Sequence, residues 1–271
     1  MNQDQVKTLL LELNSEVEGF TLIFSGKLSK KVDGLYHPEK QEIIIHNKNF
    51  TEDNPLVYTA IHEFAHHIQF TQKEAEITSR SHTVMFWDIF HKLLILAEEK
   101  GIYQNLFATD ERFINLTKRI KADYLQKNGS LMKEFGKLLI EALDLCQQNH
   151  ANFEDYVDRE LGLNRTAAKS IMKVYAMDVK SEIGFDNMKI VAGIKEEKQR
   201  KEIEHSFEEG QSPDMVKASI KEAKGIPDVT LPRLESQKKR IEKSMHDLQQ
   251  KLVDVEMQID EFKHELEQEQ E

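Results

Sequence analysis

Cysteine is almost absent from this chain: Cys146 stands alone among 271 residues. One thiol excludes an internal disulfide framework and any zinc module built from several cysteines. Long apolar runs are missing as well. Stretches such as Leu93-Leu94-Ile95-Leu96-Ala97 are far too short to cross a bilayer. The opening Met1-Asn2-Gln3-Asp4-Gln5 lacks the basic-then-apolar order of a secretory signal. Together these absences lead us to expect a reducing, cytoplasmic setting and no membrane partner. Positive charge is in deficit, with 37 Lys and Arg against 48 Asp and Glu and a net charge of −11. That argues against a general polyanion binder, although a local basic patch can still touch DNA. Strand-like segments, too, are missing beyond about residue 108.

What remains divides by periodicity. Residues 1–19 read as a helix, with Val6, Leu9, Leu10, Leu13 and Val17 at helical spacing. Phe20-Thr21-Leu22-Ile23-Phe24 and Glu42-Ile43-Ile44-Ile45-His46 read as strands, and Gly34-Leu35-Tyr36-His37-Pro38 as a further strand and turn. Asn54-Pro55 marks a helix start, Asn54 as cap and Pro55 at the first helical position. Val57, Ile61, Phe64, Ala65 and Ile68 then form one apolar face. A polar loop near residues 71–81 leads to a second apolar helix, about His82 to Lys100, stopped by Gly101. Helices are expected over 108–126 and 130–148, followed by shorter ones divided at Gly162, Gly184, Gly193, Gly210 and Gly225, with a linker from Ile226-Pro227 to Pro232. From Leu234 a heptad pattern sets in. Leu234, Ile241, Leu248, Val255 and Phe262 form one seam row, and Met245, Leu252, Ile259 and Leu266 the other, with Lys238 breaking the second. This is a coiled-coil signature and predicts a homodimer, the alternative being a long helix folded back on the same chain.

The chemistry concentrates in His62-Glu63-Phe64-Ala65-His66. Residues four apart share a helix face, so His62 and His66 can offer nitrogens to one metal ion. Glu63 is set slightly to the side, where a carboxylate reaches a metal-activated water without ligating the metal. Zinc brings the pKa of such a water toward neutrality, and Glu63 would take its proton and pass it to a leaving amine. A catalytic zinc needs a third protein ligand and one open position. His82 is the candidate, with Phe86 and Trp87 packing its helix against the first; Glu74, Glu76 and Asp88 compete as carboxylates. His67 is rotated about 100° from His66 and reads as an outer or surface residue, and His37, His46 and His91 as ordinary polar positions.

His62-Glu63-Phe64-Ala65-His66, then His82 and Phe86-Trp87, resemble the SprT-like and related WSS-like zincin metallopeptidases over residues 18–100. The resemblance implies a minimal zincin fold preceded by two strands, a zinc ion (Zn2+) held by His62, His66 and His82, and Glu63 as general base. The chain lacks the zinc-ribbon cysteines that some members carry.

Farther on, Phe153-Glu154-Asp155-Tyr156-Val157, the turn Leu161-Gly162-Leu163-Asn164 and Thr166-Ala167-Ala168-Lys169-Ser170-Ile171 read as two short helices around a glycine turn, a helix-turn-helix arrangement. The order is loosely similar to ParB-like and phage-associated helix-turn-helix modules. That similarity implies a helix from Arg165 to Tyr175 in the major groove, with Arg165, Thr166, Lys169, Ser170 and Lys173 near DNA. Acidic residues are at least as numerous as basic ones over 151–230, so a protein-interaction domain is the competing reading. The expected architecture is therefore α+β: a zincin-type metallopeptidase domain (1–105), a helical connector (106–150), an all-α helix-turn-helix-like domain (151–228) and a coiled coil (232–271). The expected function is zinc-dependent peptide-bond hydrolysis in a protein substrate. The alternative is a non-enzymatic, partition-like DNA-binding regulator with a structural zinc site.

Overall fold

A computed structural model describes residues 1–71, 82–223 and 231–268. It is mostly helical with one small sheet, an α+β arrangement, and divides into two units, Met1–Ile220 and Lys221–Glu271.

Helix α1 (Gln3–Leu13) opens with a capping box in which Asn2 and Gln5 satisfy each other's backbone N–H groups. It buries Val6, Leu10 and Leu13 and stops at Asn14, which is extended. The helix is therefore shorter than the periodicity over residues 1–19 predicts. Val17 still packs on the core, but from irregular chain. Three strands follow: β1 (Thr21–Phe24), β2 (Gly34–His37) and β3 (Glu42–Ile45). β3 is central, parallel to β1 with Leu22 opposite Ile43, and antiparallel to β2 with Tyr36 opposite Ile43. The period of two along β3 sends Ile43 and Ile45 into the core, both fully buried.

Helix α2 (Asp53–Thr71) packs against β2, β3 and α1 and is the spine of this half. It begins one residue before the expected cap. Asn54 serves another contact: its side-chain N–H donates to the Gln104 carbonyl and its Oδ1 accepts from the Gln104 N–H, pinning the loop behind the next helix. That helix, α3 (Val84–Glu99), is capped by Thr83, whose hydroxyl oxygen accepts from the Phe86 N–H. Leu56, Val57, Ala60, Ile61, Phe64, Phe86 and Phe90 form the shared core. Fully burying each of the larger side chains among these stabilises the fold by about 1.5–3 kcal/mol.

The second half of the first unit is all helix. After the short α4 (Leu106–Thr109), α5 (Glu111–Ile120) runs through a π-helical segment, Lys121–Gln126, into α6 (Lys127–Gln148) without a break. The two helices expected at 108–126 and 130–148 are one continuous rod, because Gly129 serves contact instead of a turn. A Cβ there would lie 2.6 Å from the Ser181 carbonyl oxygen, and one at Gly136, two turns on, 2.7 Å from that of Ile171. Both glycines let other chain segments approach the rod closely. Next come α7 (Phe153–Asp155) with a π turn to Glu160, α8 (Arg165–Ala176), α9 (Phe185–Ala192), α10 (Glu197–Glu208) and α11 (Pro213–Ala223). Val174, Met188, Val191 and Val216 share one core cluster, and Leu139, Val157, Ala168 and Ile171 another. The expected linker at 226–232 lies largely outside the described residues. The second unit contains α12 (Leu231–Gln268). Among the described residues, no helix is long and apolar enough to cross a membrane.

Candidate metal centre

His62 and His66 occupy successive turns of α2, and His82 precedes the Thr83 cap of α3. His82 is therefore outside the helix it was expected to begin. It enters the site from the approach to α3, where the chain is still free to turn its ring toward α2. Three ring nitrogens converge: His82 Nε2 lies 3.1 Å from His62 Nε2 and 3.2 Å from His66 Nε2. Among the described residues these three form the one group able to hold a metal ion. Glu74 and Glu76, the rival ligands, lie outside the described residues. Asp88 does not join the group; it is buried in α3 with its Oδ2 2.7 Å from the Lys92 ammonium.

Hydrogen bonding alone does not account for this convergence. His82 Nε2 carries either one in-plane proton or one in-plane lone pair, so it satisfies at most one of two ring neighbours. A tetrahedral ion with Zn–N bonds of about 2.0–2.1 Å sets its nitrogens about 3.3–3.4 Å apart, close to the spacing seen. The electrostatics agree. Burial, aided by the neighbouring His82, holds His62 down to about 4, and burial with both other imidazoles holds His66 down to about 3. Both rings are therefore neutral at physiological pH, with lone pairs available to a cation. Phe86, fully buried, backs the cluster, its ring stacked on that of His66 at 4.2 Å and edge-on to that of His62 at 4.9 Å. Trp87 flanks His82 at 5.7 Å.

Glu63 is buried beside His62, and burial alone raises its carboxyl to about 7. It is held from the sheet side. An added Cβ on Gly34, the first residue of β2, would meet Glu63 Cγ at 2.8 Å and Oε1 at 2.9 Å. Only a residue without a side chain lets the strand run this close to the carboxylate. Sequence reasoning passed over Gly34, seen only as the start of a strand segment. It also passed over Gln69, whose amide N–H donates to the Thr83 hydroxyl oxygen at 3.2 Å, bridging the end of α2 to the residue after His82. The signal was its place three residues beyond His66, on the same helix face. Among the described residues, His66 Nδ1 and Gln69 Oε1 are both buried without a hydrogen-bond partner.

The other histidines have structural work. His67 is fully buried, not at the surface: its Nε2–H donates to the Glu18 carbonyl at 2.9 Å, leaving Nδ1 to accept from the Tyr36 hydroxyl at 3.1 Å. His91 Nδ1 lies 2.8 Å from Ser212 Oγ, tying α3 to the chain entering α11. In the helix-turn-helix-like segment, Arg165 pairs with Asp158 at 2.8 Å and Lys169 with Glu154 at 2.6 Å, so two of the expected DNA-facing cations have acidic partners. Thr166 and Lys173 are exposed and Ser170 is half-buried, while Ala168, Ile171 and Val174 face the core.

Comparison with known protein families, with characterised proteins and with solved structures finds no match to this chain.

Proposed function

We propose that this chain is a zinc-dependent peptidase of the zincin type, acting on extended segments of a protein substrate. The observation that carries the reading is the meeting of three imidazole nitrogens at metal-ligand spacing, with a buried carboxylate one residue after the first of them. Three imidazoles suit zinc. A zinc ion there would supply a Lewis acid and a water made acidic near neutral pH. His62, His66 and His82 would hold it, and Phe86 would keep bulk solvent from the back of the rings. Glu63 accepts the proton at its carboxylate and returns it to the departing amine nitrogen. A cation nearby favours the ionised carboxylate and counters the burial that raises Glu63. Among the described residues β2 is an edge strand; it passes close to Glu63, and its open side can hold a substrate backbone extended beside the carboxylate.

Metal analysis of the purified protein tests the reading. We expect one zinc per chain, lost in His62→Ala. Less than half an equivalent, unchanged by that substitution, would sink it. Glu63→Gln keeps the zinc and abolishes cleavage of an unfolded protein substrate. Full zinc without cleavage by the parent chain would point to the non-enzymatic alternative.

A further inference from the structure

Helix α12 has 38 residues and so extends about 57 Å. Leu234, Ile241, Leu248 and Val255 form one row along it and Met245, Leu252 and Ile259 a second, and all seven side chains are exposed. Spacings of four and three alternate between the rows, which places the first row at heptad position d and the second at a. We infer that this seam is covered by a second copy of the chain, the two α12 helices lying parallel and in register.

Charge decides the orientation. In a parallel pair, position g of one helix lies beside position e of the next heptad on its partner, five residues on. Lys251 then meets Glu256 of the second copy, and the symmetry makes the pair twice. Reversing one helix with the fullest overlap, centred on Gln250, instead opposes Lys251 to Lys251 once and Glu242 to Glu256 twice, and sets Glu235 against Lys263 twice. The parallel arrangement gains two attractions, whereas in the antiparallel one three repulsions outnumber two attractions. Its one cost is Lys238, an a-position residue stacked against itself. The structure shows how that charge is relieved: Lys238 Nζ lies 3.6 Å from Glu242 Oε1 on the same helix, and both side chains are well exposed. The ammonium thus leaves the seam sideways, which a two-stranded coil permits. A single Lys at position a also disfavours higher oligomers and shifted registers.

Sedimentation equilibrium of the full chain across micromolar concentrations tests this. A dimer is expected, and Leu252→Asp should weaken it by more than about 100-fold by placing a charge in a central layer. Glu256→Lys should weaken it about tenfold by setting Lys251 against a new cation, and Lys251→Glu with Glu256→Lys should restore it. A monomer throughout the micromolar range, or a trimer, would overturn the inference. So would tighter association of Glu256→Lys, since that substitution relieves the repulsion with Glu242 only in the antiparallel pair.

Discussion

Gly34→Ala is the sharpest perturbation of the proposed site, because it adds one methyl group and touches no ligand. The new Cβ would stand 2.8 Å from Glu63 Cγ, 2.9 Å from Oε1 and 3.0 Å from Thr59 Cγ2, whereas ordinary contact begins at 3.4 Å. The Glu63 side chain must therefore retreat by at least about 0.6 Å from a strand that it now nearly touches, and burial leaves it little room. Displacing a catalytic group by about 1 Å costs on the order of 100-fold in rate, so turnover should fall about 10- to 100-fold. Overpacking of this kind costs about 1–3 kcal/mol, which in a unit of this size lowers Tm by several degrees. The zinc content should not change. Adding Thr59→Ser removes one of the three clashes while keeping the hydroxyl that bonds the Pro55 carbonyl. That double variant should regain part of the stability and none of the turnover. The assay is cleavage of a fluorescently labelled unfolded protein, with zinc quantified in the same sample. Wild-type turnover at full zinc occupancy would show that Glu63 is not the base or that β2 does not position it. Loss of zinc would show that the strand acts through the ligands instead.

His82→Ala should weaken zinc binding by more than about 100-fold in a chelator competition, since even an outer partner of a ligand is worth 10- to 100-fold; unchanged affinity would transfer the third position to a residue such as Glu74 or Glu76. Zinc-free protein should lose stability as the pH falls from 6.5 toward 4.5. In that window the unfolded chain protonates His62 and His66, which the fold holds at about 4 and about 3, while Glu63, raised to about 7, is protonated in the fold and ionised when unfolded. Among these three groups two protons favour the unfolded state and one the folded, a slope of about 1.4 kcal/mol per pH unit, and His67 and His91, also lowered by burial, act in the same direction; a flat urea midpoint across this range would contradict it. Gly136→Ala should destabilise by about 1–3 kcal/mol despite the better helix propensity of alanine, because its Cβ would lie 2.7 Å from the Ile171 carbonyl and 2.8 Å from Tyr175 Cβ. Calorimetry showing a raised Tm would mean that α6 and α8 are less closely packed than these distances require.

Elements whose signal is local were legible. The strand segments around Leu22, Tyr36 and Ile43, the helix carrying His62 and the apolar run from Phe86 to Leu96 all show their periodicity within a few residues. Boundaries set by distant partners were not. Asn54 has the chemistry of a helix cap but spends it on Gln104, fifty residues away. Gly129 has the chemistry of a turn yet sits inside a helix, where Ser181 and Met188 crowd it. Propensity describes what a residue permits, and tertiary packing selects among those permissions.

The site divides along the same line. His62 and His66 lie on one helix, so their meeting is a matter of pitch and needs no knowledge of the fold. His82 arrives through the junction of two helices, and the structure shows what governs that junction: the Thr83 hydroxyl accepts both the Phe86 N–H of its own helix and the Gln69 amide of the other. The third imidazole is thereby tied to the helix that carries the first two, and a change at Gln69 should be felt as metal affinity and not as chemistry. Gly34 is the least legible member, because its contribution is an absent side chain. Residues able to hold a metal carry donor atoms that show in the sequence; the residue that lets Glu63 stand beside them shows only once the strand above it is in place.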